Sequence, residues 1–311
     1  SHEMSNLPAE VRLRFADTLW PFAVEVEQSA DRGATRKWLL RTPDGAGIET
    51  VLMGYQRRTT LCISSQVGCA MGCSFCATGQ FGFERHLEPG EIVAQVAYAN
   101  AVLRRQPIAG SPPRVSNVVF MGMGEPLANY RRVRESLRRM IEIMGMSARA
   151  ITVSTVGVVP GIQRLAAEPW PVGLAVSLHA ADDELRSTLV PLNDRYPIDE
   201  VVAAALAFRS AKGRRVSIEW TLIAGVNDGE EQAAKLAAIA RRMRAHVNLI
   251  SLNPTPRSPG RPPGDDRVAA FLAALTARGV AATRRDTRGK EIDAACGQLR
   301  LRARPDSVLR R

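Results

Sequence analysis

The chain has 311 residues, 45% of them apolar, and its 42 Lys and Arg against 31 Asp and Glu give a formal charge of +11. That length and apolar content can bury one barrel-sized core, with or without a small appendage, which excludes disorder throughout. No stretch approaches the length needed to cross a bilayer. The five cysteines, an odd number with three inside eight residues, fit metal and redox chemistry in a reducing cytoplasm and not a secreted disulfide framework.

Residues 5 to 35 carry mixed helical and loop signals, so 1–35 is expected to be a short, partly helical segment, too short for a domain. A small β extension follows over 36–58. Arg36 to Thr42 and Ile48 to Met53 are β-prone runs around Pro43-Asp44-Gly45-Ala46-Gly47, which reads as a hairpin. From 59 to 300 strands and helices alternate in what is expected to be the catalytic domain. The strand candidates are Thr60 to Ser64, Val115 to Met121, Ala150 to Ser154, Val172 to Leu178, Val216 to Leu222 and Val247 to Leu252. The helix candidates are Pro89 to Leu103, Tyr130 to Met144, Gly161 to Glu168, Asp199 to Ala211, Glu230 to Met243 and Gly264 to Ala277. Six such units imply an α/β fold: a parallel sheet covered by helices and curved into a partial barrel, with its chemistry at the carboxyl ends of the strands. A doubly wound sheet is the alternative, because periodicity does not set curvature. Pro254 to Pro263 reads as a loop at the active face, Gly279 to Arg285 as an edge strand, Asp286 to Gly297 as the return of Cys296 toward the chemistry, and 301–311 as a tail.

The strongest motif is Cys69-Ala70-Met71-Gly72-Cys73-Ser74-Phe75-Cys76, a C-x3-C-x2-C loop after an apolar run. Three thiolates hold a [4Fe-4S] cluster and leave one iron open, where S-adenosylmethionine (SAM) can chelate and receive an electron. Zinc is the rival, with His86 as fourth ligand. Met121-Gly122-Met123-Gly124-Glu125-Pro126 follows a strand: its glycines admit a small molecule to the main chain, and Glu125 can accept a hydrogen bond from an ammonium group. Ser177 and His179 close the fourth strand and Asn253 the sixth, where polar side chains face ligand or cap loops. Cys62, within the first strand, can point into the barrel, although a lone strand cysteine is more often inert core. Cys296 precedes a glycine that lets backbone approach a ligand. The basic excess favours a phosphate-rich partner. Only four of the basic residues are Lys (Lys37, Lys212, Lys235, Lys290), and an Arg-rich composition also follows from GC-biased coding, so charge leaves nucleic-acid binding open.

Thr60 to Cys69, the cysteine loop, Met121 to Pro126, Ala175 to Ala180 and Asp293 to Leu299 together resemble the radical SAM RNA methyltransferases that modify adenine carbons, C2 in rRNA and tRNA or C8 in a resistance branch. The resemblance covers about residues 36 to 300 and implies a radical SAM (β/α)6 partial TIM barrel. It implies Cys69, Cys73 and Cys76 as cluster ligands; Cys296 as the methyl-accepting cysteine; Cys62 as the thiol that deprotonates the ring carbon and closes a Cys62–Cys296 disulfide; and Glu49 as a glutamate near the adenine. Gly124, Glu125, Ser177, His179 and Asn253 fall at cofactor positions. Arg288 and Gly289 fit the turn before Cys296, with Lys290 where an acidic residue is expected. The implied function is methylation of adenine, C2 favoured, in rRNA or tRNA, with a low-potential donor such as flavodoxin or ferredoxin. About 35 residues precede Arg36, fewer than family members usually carry. The same chemistry on a free nucleotide or small heteroaromatic metabolite is therefore kept as an alternative, and a noncatalytic metal-containing RNA-binding protein as a second.

Overall fold

The computed structural model describes Pro8 and residues 20–255, 257–285, 288–294 and 297–299. Strands β1 (Ala23–Ala30), β2 (Thr35–Arg41) and β3 (Gly47–Tyr55) form an antiparallel ribbon, and β3 pairs antiparallel with β4 (Arg58–Cys62). The hairpin expected from residues 36 to 53 is present, with β1 added at its edge. β1 was missed because Ala23-Val24-Glu25-Val26-Glu27 alternates yet is mostly exposed, so its pattern marks no core face. A separate two-stranded piece, β5 (Gln66–Gly68) with β6 (Phe83–His86), brackets the cysteine loop.

From β4 the large sheet continues in parallel through β7 (Asn117–Phe120), β8 (Ile151–Thr155), β9 (Gly173–Ser177), β10 (Ser217–Leu222), β11 (His246–Ser251) and the short edge strand β12 (Ala282–Arg284). All six expected barrel strands and the expected edge strand are there. Alternation sorts their side chains. Leu61, Val118, Val153, Val176, Ile218, Trp220 and Leu249 face outward into one core shared with the helices. Thr60, Cys62, Val119 and Asn248 face inward and line a cavity. That cavity is walled both by β3 and β4 and by β11 and β12, the two ends of the parallel run. The sheet is therefore curled into a partial barrel, and the doubly wound alternative is removed, since an open twisted sheet keeps such strands apart.

The covering helices are α1 (Ala77–Gln80), α2 (Pro89–Arg105), α3 (Tyr130–Arg138), α4 (Val159–Ala167), α5 (Asp183–Leu189), α6 (Ile198–Lys212), α7 (Glu230–Met243) and α8 (Asp265–Ala277). Helix α2 starts where its sequence says: Glu88 and Glu91 form a reciprocal capping box ahead of Pro89. Helix α3 does not run on to Met144 as one α-helix, because Arg139–Ile143 forms a π turn. Helix α5 was not anticipated; it is short and is set by the Asp182 carboxylate, which accepts from Leu185 N at 2.9 Å. No helix among the described residues is long and apolar enough to cross a membrane.

The segment before Cys296 docks on the β extension. Gly289 N donates to Asp31 Oδ2 at 3.1 Å, Arg288 Nη1 to the Gly54 carbonyl at 2.9 Å and Lys37 Nζ to the Asp293 carbonyl at 3.3 Å. Gly289 has φ +65, and a Cβ there would stand 2.7 Å from that of Ala294, so this turn requires glycine.

Candidate active site

The cysteine loop leaves β5 through Gly68, at φ +72, where a Cβ would lie 2.0 Å from the Gly82 carbonyl oxygen. Only glycine lets the loop close against β6, and Cys69 N then donates to that carbonyl at 2.7 Å. Further on, Ser74 N donates to Leu189 O at 3.1 Å and Ala77 N to Gly297 O at 2.8 Å, so helix α5 and the C-terminal segment both hold the loop. Cys69, Cys73 and Cys76 come out on one cleft at the carboxyl ends of the strands, with about 900 Å³ of empty space. Burial pushes the Cys69 thiol up to about 12 and raises Cys73 and Cys76 as well, the neighbouring thiols adding to it for Cys73. As bare groups these thiols keep their protons; a cationic iron centre is what would hold them as thiolates there.

Gly124, Glu125, Ser177, His179 and Asn253 line the same cleft. The glycines of the Met121 to Pro126 turn serve the chain's own backbone first. A Cβ on Gly122 would stand 2.6 Å from the Ile63 carbonyl oxygen, and one on Gly124, at φ +98, would stand 2.5 Å from Gln66 Cβ. The Glu125 carboxylate accepts from Leu127 N and from Val156 N, each at 2.9 Å, and burial nevertheless raises its pKa to about 7. A cation brought beside it would return it to the carboxylate form. His179, at φ +64, accepts from Thr221 N through Nδ1 at 3.0 Å, so Nε2 carries the proton of the neutral ring. Burial, and then Arg186, hold its pKa down to about 3, and the ring packs on Phe75 of the cysteine loop at 4.5 Å between centroids. Phe75 thus joins loop and barrel.

Arg186 has no signal in the sequence and carries much of this architecture. It is fully buried, donating to the Leu178 and Val156 carbonyls at 3.1 and 2.5 Å and to Asn193 Oδ1 at 2.7 Å. Its three acceptors lie just past β9, just past β8 and after α5, so one guanidinium ties together the turns that carry Ser177, His179 and the Glu125 partner Val156.

Cys62 lines a second cavity, with about 1400 Å³ of empty space, which shares Met121, Ile250 and Asn253 with the first. It packs with Val51, Met123, Ala294 and Leu299. Cys296 itself lies outside the described residues, as does the expected Cys62–Cys296 pairing. Its described flanks reach both cavities: Ala294 touches the Cys62 cluster, and Gly297 lines the cysteine cleft. Thr78 Oγ1 donates to Leu299 O at 2.7 Å and pins the segment to α1. Glu49 sits on β3 two residues from Val51, whose register partner is Cys62. It is buried and paired with Lys37 Nζ at 3.1 Å, in a small cavity shared with Glu291, Ile292 and Asp293 and separate from the one that holds Cys62. Lys37 was visible in the sequence only as one of four lysines; the alternation of facing strands is what joins it to Glu49.

His86 faces away from the cysteines, in a groove with Arg85, Glu88 and Arg132, its Nδ1 3.0 Å from Gln66 Nε2. Among the described residues no three His, Cys, Asp or Glu side chains converge as a single ion requires. The zinc reading loses its fourth ligand. Three thiols around one open cleft instead fit a cluster, whose irons stand apart from one another.

A family model described as the Radical SAM superfamily matches residues 63–237. The probable dual-specificity RNA methyltransferase RlmN of Frankia alni is 54% identical over 302 residues, covering 95% of this chain and 72% of that protein. The protein of the same description from Salinispora tropica is 52% identical over 303 residues, covering 96% of this chain and 82% of its own. The crystal structure of a radical SAM methyltransferase from Sphaerobacter thermophilus superposes with a TM-score of 0.89 at 51% identity, over 94% of this chain and 86% of that one. With fold, cysteine loop and barrel-end residues in the expected order, this chain belongs to the radical SAM methyltransferases of the RlmN family.

Proposed function

We propose that the chain methylates C2 of adenine in RNA, rRNA or tRNA, carrying the methyl group on Cys296. It is a radical SAM methyltransferase that uses a [4Fe-4S] cluster and SAM. The observation that carries the residue assignment is the shared wall of the two cavities. One holds three thiols, the other holds Cys62, and the segment flanking Cys296 touches both.

Cys69, Cys73 and Cys76 are the cluster ligands in this reading. When bound, the cluster supplies one electron to the sulfonium of SAM and so generates the carbon radical that an electron-poor ring carbon requires. Glu125, Ser177, His179, Asn253 and the Gly124 backbone bind and orient SAM, with Glu125 taking its ammonium group as a carboxylate. Cys296 carries the methyl carbon to the ring. Once the ring adduct has given up one electron, Cys62 as a thiolate takes the proton from C2. That proton then passes to the methylene carbon as its bond to the Cys296 sulfur breaks, and the Cys62 sulfur closes on that of Cys296, leaving a methyl group on C2 and a disulfide for an external reductant. Glu49, expected near the adenine, lies instead in the separate small cavity with Lys37, so in this reading it acts on the base only from behind the β3 wall that carries Val51. A flavodoxin- or ferredoxin-type donor in the cytoplasm would feed the cluster.

The test is anaerobic reconstitution followed by intact-mass analysis with SAM, and nucleoside mass spectrometry of rRNA and tRNA. A methyl group on the wild type that is absent from Cys296→Ala, together with 2-methyladenosine in the RNA, is expected. A methyl group that persists in Cys296→Ala defeats the reading.

A further inference from the structure

The second cavity runs the length of β4: Arg58, Thr60 and Cys62, alternate residues of one face, all line it. From Arg58 to Cys62 is four residues, about 13 Å at the rise of a strand. At the Arg58 end stands Tyr55, with two guanidinium groups on its ring: the Cζ of Arg58 lies 4.4 Å and that of Arg288 4.3 Å from the centroid. Tyr55 is thus the shared platform of both guanidinium groups. Arg284 and Arg285 line the same cavity, Arg285 at its other end beside Met121, and the described lining has four arginines and no Asp or Glu. Arg284 and Arg285 have carboxylate partners outside that lining, Asp265 at 2.5 Å and Glu219 at 3.4 Å, whereas no carboxylate among the described residues pairs with Arg58.

Resting on the adenine-methylation reading, we infer that the Arg58–Tyr55–Arg288 stack, at the amino-end mouth of the barrel, is a clamp for a phosphodiester of the RNA strand that carries the target base. Stacking uses the flat face of a guanidinium group, so that of Arg58 leaves in-plane N–H donors for an anion, with Arg288 adding its charge beside it. Arg288 is steadied by its bond to the Gly54 carbonyl, and Tyr55 keeps the pair in register when no ligand is present. Base and backbone then occupy opposite ends of one cavity: the ring beside Cys62, the phosphate at the mouth. The clamp carries no base information; it sets how far the nucleotide enters.

The test uses the full, anaerobically reconstituted chain and a fluorescent RNA stem-loop presenting an unpaired adenine, titrated over a series of salt concentrations. Arg58→Gln is expected to weaken binding about tenfold, the size of one charge-assisted contact. It should also lower the log–log salt slope by about 1. Arg104→Gln, the same charge change at an exposed site on α2, is expected to match the wild type. Iron content and methyl transfer to Cys296, read by intact mass, should be equal in all three and serve as the check on folding. Equal affinity and slope for Arg58→Gln and Arg104→Gln overturn the clamp. Displacement of the stem-loop by adenosine monophosphate at equal concentration overturns the assignment to a strand in favour of a mononucleotide phosphate. Loss of the Cys296 methyl group in the wild type itself strikes the adenine-methylation reading and leaves the binding series to be judged separately.

Discussion

The two cavities meet at Met121, Ile250 and Asn253, yet their remaining walls are of opposite electrical character. The cysteine cleft carries the carboxyl groups of Glu125 and Glu219 and three thiols, with no Arg or Lys in its described lining. The chamber of Cys62 carries arginines and no carboxyl group in its described lining. A sulfonium and an ammonium gain in the first, a phosphate in the second. The change of sign occurs across one ion pair, Glu219 on the first wall and Arg285 on the second, with Asn248 Nδ2 donating to Glu219 Oε1 at 2.8 Å. In the proposed reading the two guests that must react are kept in register by the strands between them, each drawn to its own side.

The largest effect should come from removing a thiol on the cleft side. Cys73→Ser is expected to abolish iron retention and SAM cleavage, measured as iron content and 5′-deoxyadenosine release, while RNA affinity stays within twofold. Full iron retention would break the assignment of the cleft. Cys62→Ala strikes the other side. Iron and SAM cleavage should survive, but product release should fall by orders of magnitude and a covalent protein–RNA species should persist on denaturing gels, because no thiol remains to take the C2 proton and displace the sulfur of Cys296. Normal turnover without that species would remove Cys62 from the chemistry.

What the sequence displayed of each side follows the same division. The cleft is built from local motifs: a dense cysteine loop, a Gly-rich turn and polar residues at strand ends, each readable within a few residues. The second chamber is built from alternation across strands far apart in the chain, β3, β4, β11 and β12. Of its lining, the sequence singled out Cys62, Asn253 and Arg288, while Glu49 falls in a separate cavity behind β3. Tyr55, Arg58 and Lys37 carry no local signature; register alone gives them their partners. The barrel strands were legible because Val, Ile and Leu runs recur between helical spacings. The short elements β5, β6 and α5 were not, since capping and glycine close approach define them more than periodicity does. Arg186 was invisible for the same reason: its role consists of three acceptors contributed by three separate turns.

Arg186→Met tests that role and should act on the cleft alone. The substitution keeps an unbranched, flexible stem, ends short of the guanidinium and removes a desolvated charge, but it strands the Leu178 and Val156 carbonyls and Asn193 Oδ1 in a buried place. At about 1–3 kcal/mol for each unsatisfied group, partly offset by the charge no longer buried, a net loss of roughly 3 kcal/mol is expected. Urea denaturation would measure it, and SAM affinity should fall with it, since the turns beneath Ser177 and His179 loosen. Unchanged RNA affinity in the folded protein would sharpen the separation between the cavities; a parallel fall in both would show that one support serves the two.

A smaller effect, and the one that separates the cavities by pH, comes from His179. In the folded chain burial, assisted by Arg186, holds its pKa down to about 3. In the unfolded chain it titrates near 6.5. Below that value the unfolded state takes up a proton that the native ring refuses, so the stability tied to the neutral ring is complete above pH 6.5 and is lost as pH falls toward 3. Between pH 7.5 and 5.5 the loss should be about 1.4 kcal/mol, the linkage value for an unfolded pKa near 6.5 and a native ring that stays neutral throughout. Urea denaturation of the wild type and His179→Gln at both values isolates this share, because other titrating groups are common to the two. The strain of a positive φ is likewise pH-independent, and the glutamine carbonyl can accept from Thr221 N in either condition. An equal acid loss in wild type and variant would assign the sensitivity elsewhere. Acid acting through His179 should therefore weaken the side of the barrel that carries the cysteine cleft, which His179 lines.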